Sequence, residues 1–243
     1  MRIIAIIQAR MASTRLPNKV LADLGGQSVL ARVVRRASRA QFIDRIVVAT
    51  TNRPEDDAIV RACAPLGVAC YRGKDEDVLD RYHRAAELHG ADVVVRVTSD
   101  NPLLDPEVAD RVIGIFLARC PDYASNSVVH TYPLGLDVEV MMASSLAQAW
   151  REAREDYQRA HVTPYFYQNP EWFRIVPVRY HEDLSAWRWT VDYPEDLDFV
   201  REVYRRFGNN DRFSWNAVRR LLEAEPWLTQ SNRHLCQKQL VQG

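Results

Sequence analysis

Cysteine is scarce in this 243-residue chain, and Cys63, Cys70, Cys120 and Cys236 show no CxxC spacing. That argues against a disulfide scaffold and against a zinc site. It fits a reducing, cytoplasmic setting in which all four act as small buried hydrophobes. Neither sign of charge is in excess, with 32 Lys plus Arg against 32 Asp plus Glu. No global basic field exists to recruit nucleic acid, and no polybasic run suits a membrane surface. No segment approaches the ~20 apolar residues of a transmembrane helix, and no cationic leader precedes the first apolar run. The glycine-rich phosphate signatures GxGxxG and GxxxxGK[ST] are missing too. Anion binding must come from local clusters. The 47% hydrophobic content supports a full core, and the length suits one α/β domain with a small insertion or tail as well as it suits two small ones.

The most informative cluster is the first one, MRIIAIIQARMASTRLPNKV. Ile3 to Ile7 is an unbroken apolar run, the pattern of a strand buried on both faces. The stretch after Gln8 carries Arg10, Arg15 and Lys19 among the small residues Ala9, Ala12, Ser13 and Thr14, with Pro17 setting a turn. Small side chains let backbone N–H groups approach a phosphate, and three cations neutralise it. Ligands of open α/β sheets bind beyond the carboxyl ends of the strands, where this loop lies. The alternative is a solvated basic loop after an ordinary strand.

Downstream, the pattern predicts helices over 28–39, 55–66, 77–90 and from Pro106 to 118, alternating with strands over 45–50, 67–71 and 92–98. Such alternation implies a mainly parallel sheet with helices on both faces. Asp100 follows the fourth strand by two residues, before Pro102. A carboxylate there suits Mg²⁺, which takes one or two carboxylates and leaves its other positions to water and phosphate. It equally suits an Asx-turn or a helix cap. Residues 121–126 read as a loop. Leu136, Val138 and Val140 alternate with Asp137 and Glu139, a half-buried strand whose carboxylates either face solvent or meet a substrate. A helix is expected over 144–154, a polar loop with Arg159 and His161 over 155–168, and a strand over 174–180. Asp192 reads as a second strand-end aspartate before Pro194, the design already seen at Asp100. Helices follow over 194–207 and 215–223, and a polar end from Ser231 reads as poorly ordered.

The segments IIQARMASTRLPNKVL, VTSDNPLLDP, PLGLDVEV, AHVTPYFYQNPEWF and WTVDYPEDL together resemble the SpsF-like cytidylyltransferase family, which is related to the CMP-KDO and CMP-sialic acid synthetases. The likeness extends to about Phe213. It implies a single nucleotidyltransferase domain over 1–213 and a C-terminal helix and polar tail over 214–243. It further implies a Rossmann-like GT-A fold with a mixed, mostly parallel sheet of seven strands. The implied reaction is Mg²⁺-dependent transfer of CMP from CTP to a small acidic acceptor with release of pyrophosphate, by a homodimer. Carried over by position, the resemblance implies nucleotide contacts at Ala9, Arg10, Ser13, Arg15, Lys19 and Ser99, catalytic roles for Arg10, Arg15, Lys19 and Asp100, and a metal held by Asp100 and Asp192. Acceptor contacts fall on Gly135, Asp137, Glu139, Arg159 and His161. Two positions depart from the family pattern: Tyr193 stands where VDTPEDL has Thr, and Ala160 stands where REHVTPY has Glu. A glycosyltransferase on the same scaffold, or a nucleotide sensor without turnover, are the competing classes.

Overall fold

The apolar run after Arg2 forms β1 (Ile3–Gln8), and its two faces organise everything else. The computed structural model describes residues 1–235. β1 is the third strand of a seven-stranded sheet. It lies parallel to β2 (Arg45–Thr51) on one side and to β4 (Val93–Thr98) on the other. β3 (Ala69–Gly73) extends the parallel half beyond β2. Beyond β4 the order continues through β6 (Glu139–Met142), β5 (Tyr123–Ser125) and β7 (Ile175–Pro177), with β6 antiparallel to both of its neighbours. The expected mixed, mostly parallel sheet is present.

Alternation along β1 sends Ile3, Ala5 and Ile7 to one layer and Ile4 and Ile6 to the other. The first layer holds α1 (Val29–Ala37), α2 (Asp57–Cys63) and α4 (Pro106–Arg119), through Leu30, Val34, Ile59, Val112 and Phe116. The second holds α3 (Val78–His89), α5 (Ala143–Glu152) and α7 (Pro164–Gln168), through Leu79, Tyr82, Leu146 and Phe166. Local chemistry sets the helix ends. Ser28 Oγ accepts from Ala31 N at 3.1 Å, and Gly90 closes α3 in the left-handed conformation. A third cluster gathers α8 (Pro194–Arg206) and α9 (Trp215–Ala224) around the buried Trp189, so the helix after residue 214 packs into the same body.

Several segments differ from the sequence pattern. The region 121–126 contains β5, too short for periodicity to reveal. Within 131–142 only Glu139–Met142 is strand. Gly135, at φ +110°, presses so close to Trp189 that a Cβ would lie 2.7 Å from its carbonyl carbon, and the strand begins only after this bend, at Glu139. The carboxylate of Glu139 does not face solvent: the residue is 5% exposed. The supposed loop over 155–168 holds α6 (Asp156–His161) and α7. The segment before Asp192 is no strand, having one isolated bridge between Leu134 and Arg188. Cys63 is buried but Cys120 is exposed at the end of α4, and Cys236 lies outside the described residues, as does most of the tail expected to be poorly ordered.

Candidate active site

The site is built where β1 and β4 end side by side. Ser99 N–H donates to Gln8 O at 3.1 Å, and Ala9 N–H to Ala49 O at 3.0 Å, so both loops leave the sheet at one edge. The basic loop is then pinned from below. Asp56, 1% exposed, accepts from Met11 N at 2.7 Å while its other oxygen takes Thr50 Oγ1 and Thr51 N. The loop closes on itself through Asn18 N and Met11 O at 3.2 Å, with Asn18 left-handed at φ 61°, and a 3-10 turn at Lys19–Leu21 follows.

This path brings Lys19 against both aspartates and Arg15 against Asp192. Lys19 Nζ donates to Asp100 Oδ2 at 2.9 Å, to Asp192 Oδ1 at 2.9 Å and to Val191 O at 2.8 Å. Arg15 reaches the same Asp192 oxygen at 2.8 Å. Its guanidinium also stacks over the Tyr193 ring at 4.9 Å, and its Nη1 is buried with no protein partner. Asp192 owes its place to main-chain pairing: Val191 N–H donates to Asp100 O at 2.8 Å and Thr190 Oγ1 to the same oxygen at 3.2 Å. Thus an extended segment does what a strand end was expected to do.

Electrostatics follow the geometry. Burial pushes the Lys19 ammonium pKa down, but Asp100 and Asp192 outweigh it and the pKa rises. Burial likewise pushes Asp100 up, and Lys19 with the Thr98 hydroxyl outweighs it, so its carboxyl sits below the usual range. Asp100 is distinct from Asp105, whose carboxylate caps α4 by accepting from Glu107 N at 2.9 Å and also takes Trp215 N at 2.7 Å. Among the described residues, no group of three or more His, Cys, Asp or Glu side chains gathers as a metal cage. Two carboxylates already share one cation, however, and Mg²⁺ needs no more from protein when phosphate and water supply the rest. The donor set therefore fits that ion.

The other expected contacts are placed as follows. Arg10 is exposed and paired to Asp75 at 3.2 Å, and Asp75 in turn holds Arg53 at 2.8 Å. Ser13 is half-buried in the loop. Asp137 Oδ2 accepts from Gly135 N at 3.1 Å, while Oδ1 is buried without a hydrogen bond, 3.7 Å from His130 Nδ1. Burial, with Glu139 and Asp100 adding to it, raises the Asp137 carboxyl above its usual range despite His130. Glu139 turns inward: Oε1 pairs with Arg96 and Oε2 accepts from Tyr123 OH at 2.6 Å. Arg159 turns to Asp77 at 2.6 Å and to the carbonyls of Trp150 and Ala153. His161 lies at the end of α6, its pKa lowered by burial and then by Arg96 and Arg10.

A cytidylyltransferase family model matches residues 4–218. The chain belongs to the cytidylyltransferase family. A cytidylyltransferase structure from Leptospira borgpetersenii superposes with a TM-score of 0.92 at 30% identity, covering 98% of this chain and 100% of that one. The spore coat polysaccharide biosynthesis protein SpsF of Bacillus subtilis is 35% identical over 92% of this chain and 95% of its own length. The 3-deoxy-manno-octulosonate cytidylyltransferase of Geobacter sulfurreducens is 39% identical over 47% of this chain, which spans 45% of that protein. A CMP:2-keto-3-deoxy-manno-octonic acid synthetase solved with CTP shares the fold, at a TM-score of 0.66 and 16% identity. The protein is a nucleotidyltransferase, and its sheet is the one these enzymes share.

Sequence reasoning did not single out Asp56, Asp75, Arg188, Asp196 or Asn232. Arg188 and Asp196 lie four residues either side of Asp192, a spacing that could have flagged them. Nothing local marks Asn232, because its partners are remote in sequence.

Proposed function

We propose that this enzyme transfers CMP from CTP to a small acidic acceptor in surface-polysaccharide or related biosynthesis, with Mg²⁺ as cofactor and pyrophosphate as the second product. The observation that carries this reading is the convergence of Arg15 and Lys19 from the first loop on Asp100 and Asp192. An acceptor oxygen attacks the α-phosphorus, the bond to the bridging oxygen breaks, and pyrophosphate leaves with the electron pair. Mg²⁺ held by Asp100 and Asp192 supplies charge neutralisation at the phosphates.

The chain's own part is positioning and charge stabilisation. Arg10, Arg15 and Lys19 bind the β- and γ-phosphates and stabilise the departing group, with Ala9, Ser13 and Ser99 lining the nucleotide. The unpartnered Arg15 Nη1 has a donor to give. Lys19 trades carboxylate partners for phosphate when the nucleotide binds. A carboxylate or phosphonate acceptor arrives deprotonated and needs no general base.

On the acceptor side, Gly135 and Asp137 contact the substrate, and the free Asp137 Oδ1 accepts from one of its hydroxyls. His161 joins them as a neutral donor. Glu139 and Arg159 shape this wall from behind through Arg96 and Asp77. We assign the nucleotidyltransferase domain to residues 1–213 and a C-terminal helix and polar tail to 214–243, with a cytoplasmic homodimer as the working form.

The test is pyrophosphate release from each of four nucleoside triphosphates with Mg²⁺ across a panel of acidic sugars, phosphonates and phosphorylated acids. CTP-dependent release with one acceptor class supports the reading. Release of a nucleoside diphosphate from a nucleotide-sugar instead means a glycosyltransferase.

A further inference from the structure

Asp192 carries two differently occupied oxygens. Oδ1 meets Lys19 and Arg15, whereas Oδ2 accepts from Arg188 Nη2 at 3.1 Å. Arg188 does not act alone. Its Nε and Nη2 grip Asp196 at 2.9 and 2.8 Å, a bidentate pair in which Asp196 is 0% exposed. Asp196 Oδ2 also accepts the backbone N–H groups of Asp192 at 2.9 Å and Tyr193 at 3.0 Å. One carboxylate therefore fixes both the main chain of Asp192 and the cation that holds its side chain. This arrangement is closed by a residue remote in sequence. Asn232 Nδ2 donates to Asp196 Oδ1 at 3.0 Å and to Arg188 O at 3.0 Å, and the residue is 2% exposed. Leu228, buried against the third core cluster, anchors the segment that delivers it.

We infer that Asn232, with Asp196 and Arg188, is a positioning residue that aims Asp192 at the bound divalent cation. This rests on the proposed metal role of Asp192. Two oxygens of a carboxylate compete for any cation. Arg188 takes Oδ2 and leaves Oδ1 facing Asp100 across Lys19 Nζ, the oxygen that would be offered to an ion there. Arg188 left without its full share of Asp196 shifts toward Asp192 and neutralises it. The buried amide prevents that shift by tethering both partners to one group: it donates to the Arg188 carbonyl and to Asp196 Oδ1, so the guanidinium and the carboxylate keep their paired alignment. Asn232 lies beyond the residues 4–218 that the family model matches, so the end of the chain takes part in the site through this side chain. Partners that orient metal ligands from behind typically change metal affinity by about 10- to 100-fold when removed.

The test is Mn²⁺ binding to the full chain by water-proton relaxation enhancement, with Mn²⁺ alone and with CTP. Circular dichroism at the titration temperature establishes that each variant is folded. Asn232→Ala is expected to weaken Mn²⁺ binding about 10-fold, and Asn232→Asp, which sets a third carboxylate against Asp196, by more. Asp196→Asn keeps the volume and removes the charge that competes for Arg188, so it is expected to weaken Mn²⁺ binding to a similar degree even if the Asn232 variants do not fold. The Mg²⁺ concentration for half-maximal pyrophosphate release rises in parallel, with a smaller change in kcat. Folded variants that lose thermal stability but bind Mn²⁺ within about twofold of wild type overturn the inference and leave a packing role only. A wild-type protein that holds no Mn²⁺ under either condition overturns the metal assignment of Asp192, and this inference with it.

Discussion

The main-chain N–H of Val191 donates to the carbonyl oxygen of Asp100 at 2.8 Å. That bond, with Thr190 Oγ1 donating to the same oxygen at 3.2 Å, sets two remote stretches of chain side by side and puts Asp192 next to Asp100. With Lys19 between them, the candidate site is a small electrostatic cage of two carboxylates and two cations.

Removing one member of the cage should therefore cost turnover more than folding. Arg15→Ala and Asp100→Ala are each expected to cut kcat by about 10²-fold or more, the scale for losing one preorganised charge-stabilising group. Both side chains are partly open to solvent, so the fold should persist. Pyrophosphate release alongside circular dichroism checks this. Near-wild-type turnover in either variant would falsify the phosphate and metal roles given to these residues.

Lys19 makes opposite demands on two measurements. In the free protein its ammonium holds the place between the carboxylates that a divalent ion would share. Lys19→Met removes that competitor, so Mn²⁺ binding without nucleotide should tighten by roughly tenfold, a modest charge effect at this range. Turnover should nevertheless fall, because the phosphates lose a cation. An inert Lys19→Met substitution in the metal titration would mean that the two aspartates do not form the cation site.

Glu139 illustrates what the sequence could and could not reveal. Period-2 alternation over Leu136 to Val140 marks an extended segment, and the parallel core strands, Ser28, Gly90 and the helices from Pro106 and Pro194 were all legible from hydrophobic spacing and cap chemistry. The basic loop and both site aspartates were legible too. The direction in which a carboxylate faces was not, because β6 is flanked by β4 and β5, and its inward carboxylate is satisfied by Arg96 and Tyr123 from those neighbours. Pairing partners of that kind are invisible in a local window. The same holds for Arg159 with Asp77, and for Asp192, whose extended segment is positioned by Asp100 rather than by its own pattern.

The inward placement carries its own prediction. Glu139→Ala leaves the Arg96 guanidinium, its side chain 12% exposed, without its carboxylate and the buried Tyr123 hydroxyl without its acceptor. Breaking a buried pair by removing one partner costs about 3–5 kcal/mol. Denaturant unfolding should show a loss of that order. A variant with unchanged stability but a raised acceptor KM would instead make Glu139 a direct substrate contact.

Stability should also depend on His83. Its ring stacks on Trp150 at 4.3 Å, and burial lowers its pKa below the ordinary 6.5. The unfolded chain then takes up a proton as pH falls through about 6.5, while the folded chain takes it up only at lower pH. Stability from this group is thus constant above that value, declines as pH drops below it, and levels off under the folded pKa. His83→Gln should flatten that part of the melting-temperature profile between pH 7.5 and 5 and leave its slope near pH 8 unchanged. An identical slope in the variant would assign the dependence to other groups.

Tyr193 occupies the position where the family pattern VDTPEDL has threonine, and its ring does something a threonine cannot. The Arg15 guanidinium lies over it at 4.9 Å while also pairing with Asp192. A partly desolvated cation–π contact is worth about 0.5–2 kcal/mol. Tyr193→Thr should then loosen Arg15 and raise the KM for CTP by roughly 2- to 30-fold, the same range expressed as an affinity. Tyr193→Phe keeps the ring and should stay close to wild type. If Phe behaves like Thr, the phenol hydroxyl rather than the ring face is what matters. If neither substitution changes the KM, Arg15 is held by Asp192 alone.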